Sequence, residues 1–393
     1  MSAHTAKVTS ITARRAAERQ RSEQSVANAR AATTLFAVVA ALLVIGVTAT
    51  ISASSAVAID EQSDSFYFFK RQLVGIGLGV VAMAVASRVP YAAYKRLAVP
   101  IFLVTTGLLV ATLVIGTGAN GAQRWIVVGP VTIQASEIAK FSVIVVLAAV
   151  LDKKRKLLGD FGHFAAPVSA VMGITGLLVM MQPDLGTTIV IAAAALAVIL
   201  TSATPVRFVL YTGFAGTVVA TILAISSDYR LDRISGFRDP WADFQGTGWQ
   251  LIQSYYALGS GGMTGVGLGA SRARWFYLPN AHTDFIYAII GEETGFVGGL
   301  VVMLLFVLLA AAGWAIASRA VDPFGRMVAS GITVWLSFQA IVNIGGVLGV
   351  IPITGITLPF VSYGSTAVAV SMGAIGVLAN IAYSGGARPR KKS

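Results

Sequence analysis

The 393 residues include no cysteine, which removes disulfides, thiolate nucleophiles and cysteine-based metal sites from consideration. Charge is almost as scarce. Asp, Glu, Lys and Arg make up 12% of the chain, about half the share found in a soluble domain, while 56% is hydrophobic and the mean hydropathy is +0.77. Too little polar surface remains to coat a water-soluble globule. Histidine is limited to His4, His163 and His282, far apart in sequence, which argues against a histidine-rich zinc site. Segments of alternating polarity, the mark of a transmembrane β-barrel, are missing as well. The N-terminal stretch is basic and rich in Ala and Arg, with no apolar core of a signal peptide, so residues 1–32 are expected to form a disordered cytoplasmic tail.

In place of these features the chain carries apolar runs of about 20 residues, long enough to cross about 30 Å of hydrocarbon. A helix satisfies its own backbone hydrogen bonds there. The expectation is an all-α integral membrane protein with about ten transmembrane helices. The spans are Thr33–Ile51, Gln72–Ser87, Ala98–Thr117, Ser136–Leu151, Phe164–Met181, Thr187–Ser202, Phe208–Ser226, Phe285–Ser318, Met327–Val350 and Gly364–Ser384. The eighth exceeds what a bilayer needs and is expected to begin above it or to break near Gly291. Residues 33–384 then form the membrane domain, and 385–393 a second basic cytoplasmic tail.

A formal charge of +12 raises the question of nucleic acid, and the placement of the charge answers it. Lys7, Arg14, Arg15, Arg19, Arg21 and Arg30 precede the first span. Alternate connections carry Arg88, Lys95 and Arg96, then Lys153, Lys154, Arg155 and Lys156, then Arg207, then Arg319 and Arg326. The C-terminal tail adds Arg388, Arg390, Lys391 and Lys392. With ten spans all of these fall on one side, so both termini are expected in the cytoplasm and no nucleic-acid partner is implied. The segment 227–284 becomes one large outer loop between the seventh and eighth spans. It holds Arg230, Arg233, Arg238, Arg272 and Arg274 against the charge bias. Arginines there either pair with Asp228, Asp232, Asp239 and Asp243 or await an anionic partner; phosphate suits the two parallel donors of a guanidinium.

Ionisable groups at membrane depth are costly, and each is a candidate for function. Glu137 and Lys140, in the run Gln134 to Lys140, share a helix face at i, i+3 and are either a self-neutralising structural pair or part of a site. Asp184, in Gln182 to Thr187, either caps the sixth helix, as aspartates often do, or takes a direct part in the chemistry. Asp284, in Leu278 to Ile286, lies where the outer loop re-enters the membrane. Either it or Thr283 caps the eighth helix, or its carboxylate takes a proton from a hydroxyl. His282 beside it suits hydrogen bonding more than metal ligation. The glycine runs Gly259 to Gly262 and Gly265 to Gly269 lack the βα context of a nucleotide site and are expected to turn tightly or approach a ligand. Gly355 to Gly364 reads as irregular backbone re-entering at the outer face.

In order and spacing these motifs resemble the SEDS family (shape, elongation, division and sporulation). The resemblance covers roughly residues 33–384. It is carried by Gln134 to Lys140, Gln182 to Thr187, Asp239 to Asp243 with Gly246 to Gln250, Gly259 to Gly269, Pro279 to Glu293 and Thr354 to Gly364. Ile289 to Glu293 and Gly355 to Pro359 are closer to the division branch than to the elongation branch. Three positions depart from the family pattern: Ala135 stands for the usual proline, Asn280 for a common glutamate and Ser365 for a second glycine. The resemblance implies a peptidoglycan glycosyltransferase that polymerises lipid II on the outer face of the bacterial cytoplasmic membrane, at the division septum. Asp284 would be its general base. It implies substrate-binding roles for Glu137, Lys140, Asp184, Arg233, Arg238, Arg272, Arg274, His282 and Ser362. A class B penicillin-binding protein and other division membrane proteins are the implied partners. No cofactor is specified, and a divalent cation (Mg or Mn) stays open. Two other readings stay open too, a lipid II flippase and a non-catalytic scaffold; the elaborated outer side favours an enzyme with one outward site.

Overall fold

The computed structural model describes residues 2–119, 122–129, 131–275 and 277–384. In chain order the elements are α1 (Ser2–Gln62), α2 (Tyr67–Arg88), α3 (Tyr91–Ile115), β1 (Thr117–Ala119), β2 (Ala122–Val128), β3 (Val131–Ile133), α4 (Ala135–Lys153), α5 (Phe161–Met180), α6 (Leu185–Leu200), α7 (Val206–Ile225), α8 (Asp228–Arg238), α9 (Trp249–Gly261), α10 (Ile286–Ser318), α11 (Pro323–Val347) and α12 (Ser365–Ser384). Among the described residues, eight helices are long and apolar enough to cross a membrane: α1 over Glu23–Asp60, α2, α3, α5, α7, α10, α11 and α12. α6 is apolar but only 16 residues long. α4 carries Glu137, Lys140, Asp152 and Lys153 within its 19 residues. These two stand where the fourth and sixth of the ten expected spans were placed, and the charges in α4 set it apart from the eight.

Local sequence sets the helix boundaries. Asp160 accepts from the Gly162 amide (2.7 Å) to cap α5, Asp184 from Thr187 (3.0 Å) to cap α6, and Asp322 from Gly325 (2.7 Å) to cap α11. Pro90 and Pro205 stand just before α3 and α7, where a proline interrupts no ladder.

Three features differ from the sequence reading. Of the stretch expected to be a disordered tail, residues 2–32 instead form the first part of α1, and their Ala- and Arg-rich composition favours helix. Its last turns pack on the bundle: Gln24 Nε2 donates to the Arg319 carbonyl (3.3 Å), Asn28 Nδ2 to the Ala382 carbonyl (3.2 Å), and Ala31 and Ala32 are buried. The C-terminal tail, 385–393, lies outside the described residues. Secondly, the fold is not purely α. β1, β2 and β3 form a small antiparallel sheet in that order between α3 and α4. The β-branched run Ile126 to Ile133, broken at Gly129 (φ +57°), carries the hairpin signal that the long apolar helices on either side obscured. Thirdly, the segment 227–284, expected to be one loop, contains α8, a short 3₁₀ turn at Pro240–Asp243, and α9.

The expected break in the eighth span falls at Gly295 (φ 68°, ψ −168°), four residues beyond Gly291. The glycine-rich loop after α9 takes over the hydrogen bonds that the kink releases. Val266 and Gly267 amides donate to the Glu292 and Glu293 carbonyls (3.0 and 3.1 Å). The Phe296 and Val297 amides, which would have used those carbonyls in an unbroken helix, donate to Gly262 and Met263 (2.9 and 3.2 Å). A Cβ on Gly261, Gly265 or Gly295 would collide with the opposing backbone. These glycines therefore serve helix α10 and its partner loop.

Candidate active site

Asp284 lies in the loop that carries the chain from the segment 227–284 into α10. Neither it nor Thr283 caps that helix: the capping position is Phe285, with no side-chain bond. The Asp284 carboxylate is partly exposed at a cleft of about 10 Å³, lined also by Asn343, Gly346, Thr354, Gly355 and Ile356. Burial at the base of this cleft dominates its titration and raises its pKa from 3.8 to about 6, with Arg233 and then Arg124 pulling it back down. Nearby Asp184 pushes it up slightly. A Cβ on Gly355 (φ +72°) would stand 3.4 Å from Arg233 Nη1 and 3.5 Å from Asp284 Oδ2, so the guanidinium and the carboxylate converge over this residue.

Irregular backbone between α11 and α12 forms the opposite wall, and α11 holds it with two amides one turn apart. Gln339 Nε2 donates to the Thr357 carbonyl (2.9 Å). Asn343 Nδ2 donates to both Ile356 and Asp284 carbonyls (2.8 Å each). Ser362 Oγ, buried, donates to the Thr283 carbonyl (2.6 Å) and accepts from the Leu358 amide (2.8 Å). The hydroxyl proposed from sequence for substrate is thus engaged with main chain on both sides. Arg233 Nη1, from α8, reaches the same strip at the Ile353 carbonyl (3.2 Å).

Glu137 and Lys140 form an ion pair (2.7 Å) whose side chains are 5% and 1% exposed, so loss of either would leave a charge buried without its partner. Lys140 also donates to Gln339 Oε1 (2.8 Å) and lies 5.3 Å from the Trp335 ring centre. Through Gln339 the pair therefore braces the strip at Thr357. Asp184, besides capping α6, stands 3.5 Å from Ser136 Oγ, at the limit of a hydrogen bond.

The remaining predicted residues do not gather at Asp284. Arg238 and Arg272 are exposed. The amide of Arg272 donates to the buried Glu292 carboxylate (2.9 Å), which also accepts from Ser271 Oγ (2.5 Å) and the Ala273 amide (3.3 Å). Arg274 Nη1 approaches Ser52 Oγ (3.4 Å), and Ser52 in turn donates to Glu293. Arg230 folds back on the end of α7, at Ser226 Oγ (3.1 Å) and the Leu223 carbonyl. His282 packs its ring against Phe68 (4.6 Å between centres) and Tyr363 (5.7 Å). Burial holds its pKa down at about 4, so the imidazole is neutral near pH 7.

Sequence reading missed Arg124, Gln339 and Asn343. Arg124, on β2, donates from Nε to the Gln182 carbonyl (3.0 Å) and from Nη2 to Pro183 (2.5 Å), which brings its charge toward Asp284. Its signal was weak because the unrecognised ribbon left it in an unassigned connection. Gln339 and Asn343 did carry a signal, two amides four residues apart inside an apolar span. Among the described residues no three His, Asp or Glu side chains cluster to hold a metal ion. Two guanidinium groups already bear on Asp284, an arrangement unsuited to a cation.

Comparison with known proteins places these residues in a wider set. The family model described as cell cycle protein, covering FtsW, RodA and SpoVE, matches residues 32–385. The stage V sporulation protein E of Bacillus subtilis is 41% identical over 342 residues, covering 86% of this chain and 93% of that protein. A protein of Geobacter metallireducens named probable peptidoglycan glycosyltransferase FtsW is 40% identical over 348 residues, covering 87% and 92%. Among solved structures, a chain from a peptidoglycan synthase complex described as coordinating polymerization and crosslinking superposes with a TM-score of 0.73 at 29% identity, covering 89% of this chain and 97% of that one. The rod shape determining protein RodA of Thermus thermophilus gives 0.64 at 28% identity, covering 88% and 94%.

Proposed function

The chain belongs to the FtsW/RodA/SpoVE family of cell cycle proteins, a family of multi-pass membrane proteins, and from that premise we propose that it is a peptidoglycan glycosyltransferase polymerising lipid II. The acceptor's GlcNAc 4-hydroxyl attacks C1 of the donor MurNAc and inverts it. The C1–O bond to the carrier breaks, and undecaprenyl pyrophosphate leaves with the bonding electrons. Asp284 takes the hydroxyl proton as the new bond forms. The observation that carries this reading is the Asp284 carboxylate at an outer cleft, with a pKa near 6 and Arg233 and Arg124 close by. A base titrating there is mostly ionised at pH 7 yet basic enough to accept a proton in the transition state.

The leaving pyrophosphate is already anionic and calls for electrostatic stabilisation more than for an acid. Arg233 and Arg124 supply the nearest positive charge, and the structure gives them better support for this role than Arg238 or Arg272. Glu137, Lys140, Ser362 and His282 act at one remove, by bracing the strip and the loop that frame Asp284. An apolar groove of about 450 Å³ between α2, α4 and α12, lined by Leu78, Ala82, Phe141, Val370 and Val377 among others, suits a polyprenyl chain. In this reading both termini are cytoplasmic, the segment 227–284 faces outward, and the enzyme acts at the septum beside a class B penicillin-binding protein that cross-links the product.

The test is polymerisation of purified lipid II by the wild type and by Asp284→Asn, each with a cognate penicillin-binding partner whose transpeptidase is blocked. Glycan ladders from the wild type that vanish in a folded Asp284→Asn protein are expected. Wild type that makes no polymer even with the partner refutes the enzyme; ladders from Asp284→Asn refute its base.

A further inference from the structure

We propose that Asn343 is a positioning residue that sets the Asp284 carboxylate relative to Arg233, an inference that rests on reading Asp284 as the general base. Asn343 comes from the core helix α11 and is 4% exposed. Both protons of its Nδ2 are spent at 2.8 Å, one on the main-chain carbonyl of Asp284 and one on that of Ile356. The orientation of the amide follows from chemistry: turned over, its oxygen would face two carbonyl oxygens, each an acceptor. Its own Oδ1 is buried and faces away from both carbonyls, leaving the two donors of Nδ2 to set the amide's position.

The two carbonyls belong to the two walls of the cleft. One lies in the loop that carries Asp284. The other lies in the strip where Gly355 stands between Asp284 Oδ2 and Arg233 Nη1, and where the Ile353 carbonyl receives Arg233. Asn343 is therefore the joint through which the base and the guanidinium keep register. Other ties hold the same segments when it is gone: Gln339 holds Thr357, and Ser362 holds Thr283. Loss of Asn343 thus frees the residues next to the chemistry and leaves the surrounding segments anchored.

The experiment compares full-length wild type, Asn343→Ala and Asp284→Asn in nanodiscs, each with the cognate penicillin-binding partner whose transpeptidase is blocked. It measures lipid II polymerisation from pH 5 to 9, thermal unfolding, and an infrared pH titration of the carboxyl stretch that Asp284→Asn removes. For folded Asn343→Ala, kcat falls about 10–100-fold with KM changed less than about twofold, the loss typical of a misplaced catalytic group. The acid limb of kcat and the infrared midpoint both move to lower pH, because the released carboxylate turns toward water. An infrared midpoint that stays put overturns the proposal, as does a loss confined to KM or to unfolding temperature. Should Asn343→Ala not be recovered folded, Asn343→Ser, which offers one donor, is judged by the same midpoint. If wild type makes no polymer, or Asp284→Asn still does, the reading of Asp284 as base fails separately, and the infrared midpoint still decides whether Asn343 holds the carboxylate.

Discussion

Replacing Asp284 with asparagine is expected to stabilise the fold while abolishing polymerisation. In the folded chain its pKa is raised from 3.8 to about 6, because burial outweighs the attraction of Arg233 and Arg124. At pH 7 to 8 the folded protein therefore holds a carboxylate that would be better off neutral. At about 1.4 kcal/mol per pH unit, the cost has a ceiling of about 3 kcal/mol. Solvent reaching the cleft lowers this to about 1–2 kcal/mol. The stabilising effect of the raised pKa is complete below about pH 4, where the carboxyl is protonated in both states. It is lost as pH rises to about 6. The asparagine side chain of the variant does not titrate, so its advantage over the wild type should grow across that window and stay flat above it. Each kcal/mol moves Tm by roughly 2 °C in a chain of this length, so unfolding scans at pH 8 should show a rise of about 2–4 °C that disappears near pH 4. The same protein should polymerise lipid II about 10²–10⁴-fold more slowly. A variant with unchanged or lower Tm at pH 8 would refute the claim that burial governs this carboxylate, whatever happened to activity.

The same geometry sets three further outcomes. Arg233→Gln and Arg124→Gln each remove a charge that holds the Asp284 pKa down, so the acid limb of kcat should move to higher pH, further for Arg233 than for Arg124; limbs that move down would contradict the assignment. Lys140→Met leaves the buried Glu137 without its partner and should cost about 3–5 kcal/mol, seen as a fall in Tm, whereas the double variant Glu137→Gln with Lys140→Met should recover much of it. Glu292→Ala strands the Arg272 and Ala273 amides and the Ser271 hydroxyl, each worth about 1–3 kcal/mol when buried without a partner, and limited proteolysis should show new cuts between residues 262 and 275.

Much of this protein follows from its sequence. Apolar runs of membrane length are a local property, so every expected span except the first, which lies within the much longer α1, could be placed within several residues of its helix without tertiary information. The motif order identified the family, and an aspartate at the mouth of the eighth helix was visible as a candidate because charge is expensive there. The length of the eighth span pointed either to a start above the bilayer or to a break near Gly291, and the packing of the 262–267 loop against the helix puts the break at Gly295.

Which polar groups meet Asp284 was a different matter. Arg124, Arg233, Asn343 and Gly355 come from a ribbon, an outer helix, a core helix and an irregular strip, separated by as many as 231 residues. No spacing rule links them, and five outer arginines looked alike in sequence. Tertiary structure separated them: Arg233 turns inward to the strip, Arg230 caps its own neighbourhood, and Arg238 and Arg272 face solvent. The physical reason is one of range. Hydropathy and helix period act within one span, whereas a carboxylate's burial, pKa and neighbouring charge are set by whatever the fold brings within a few ångströms of it.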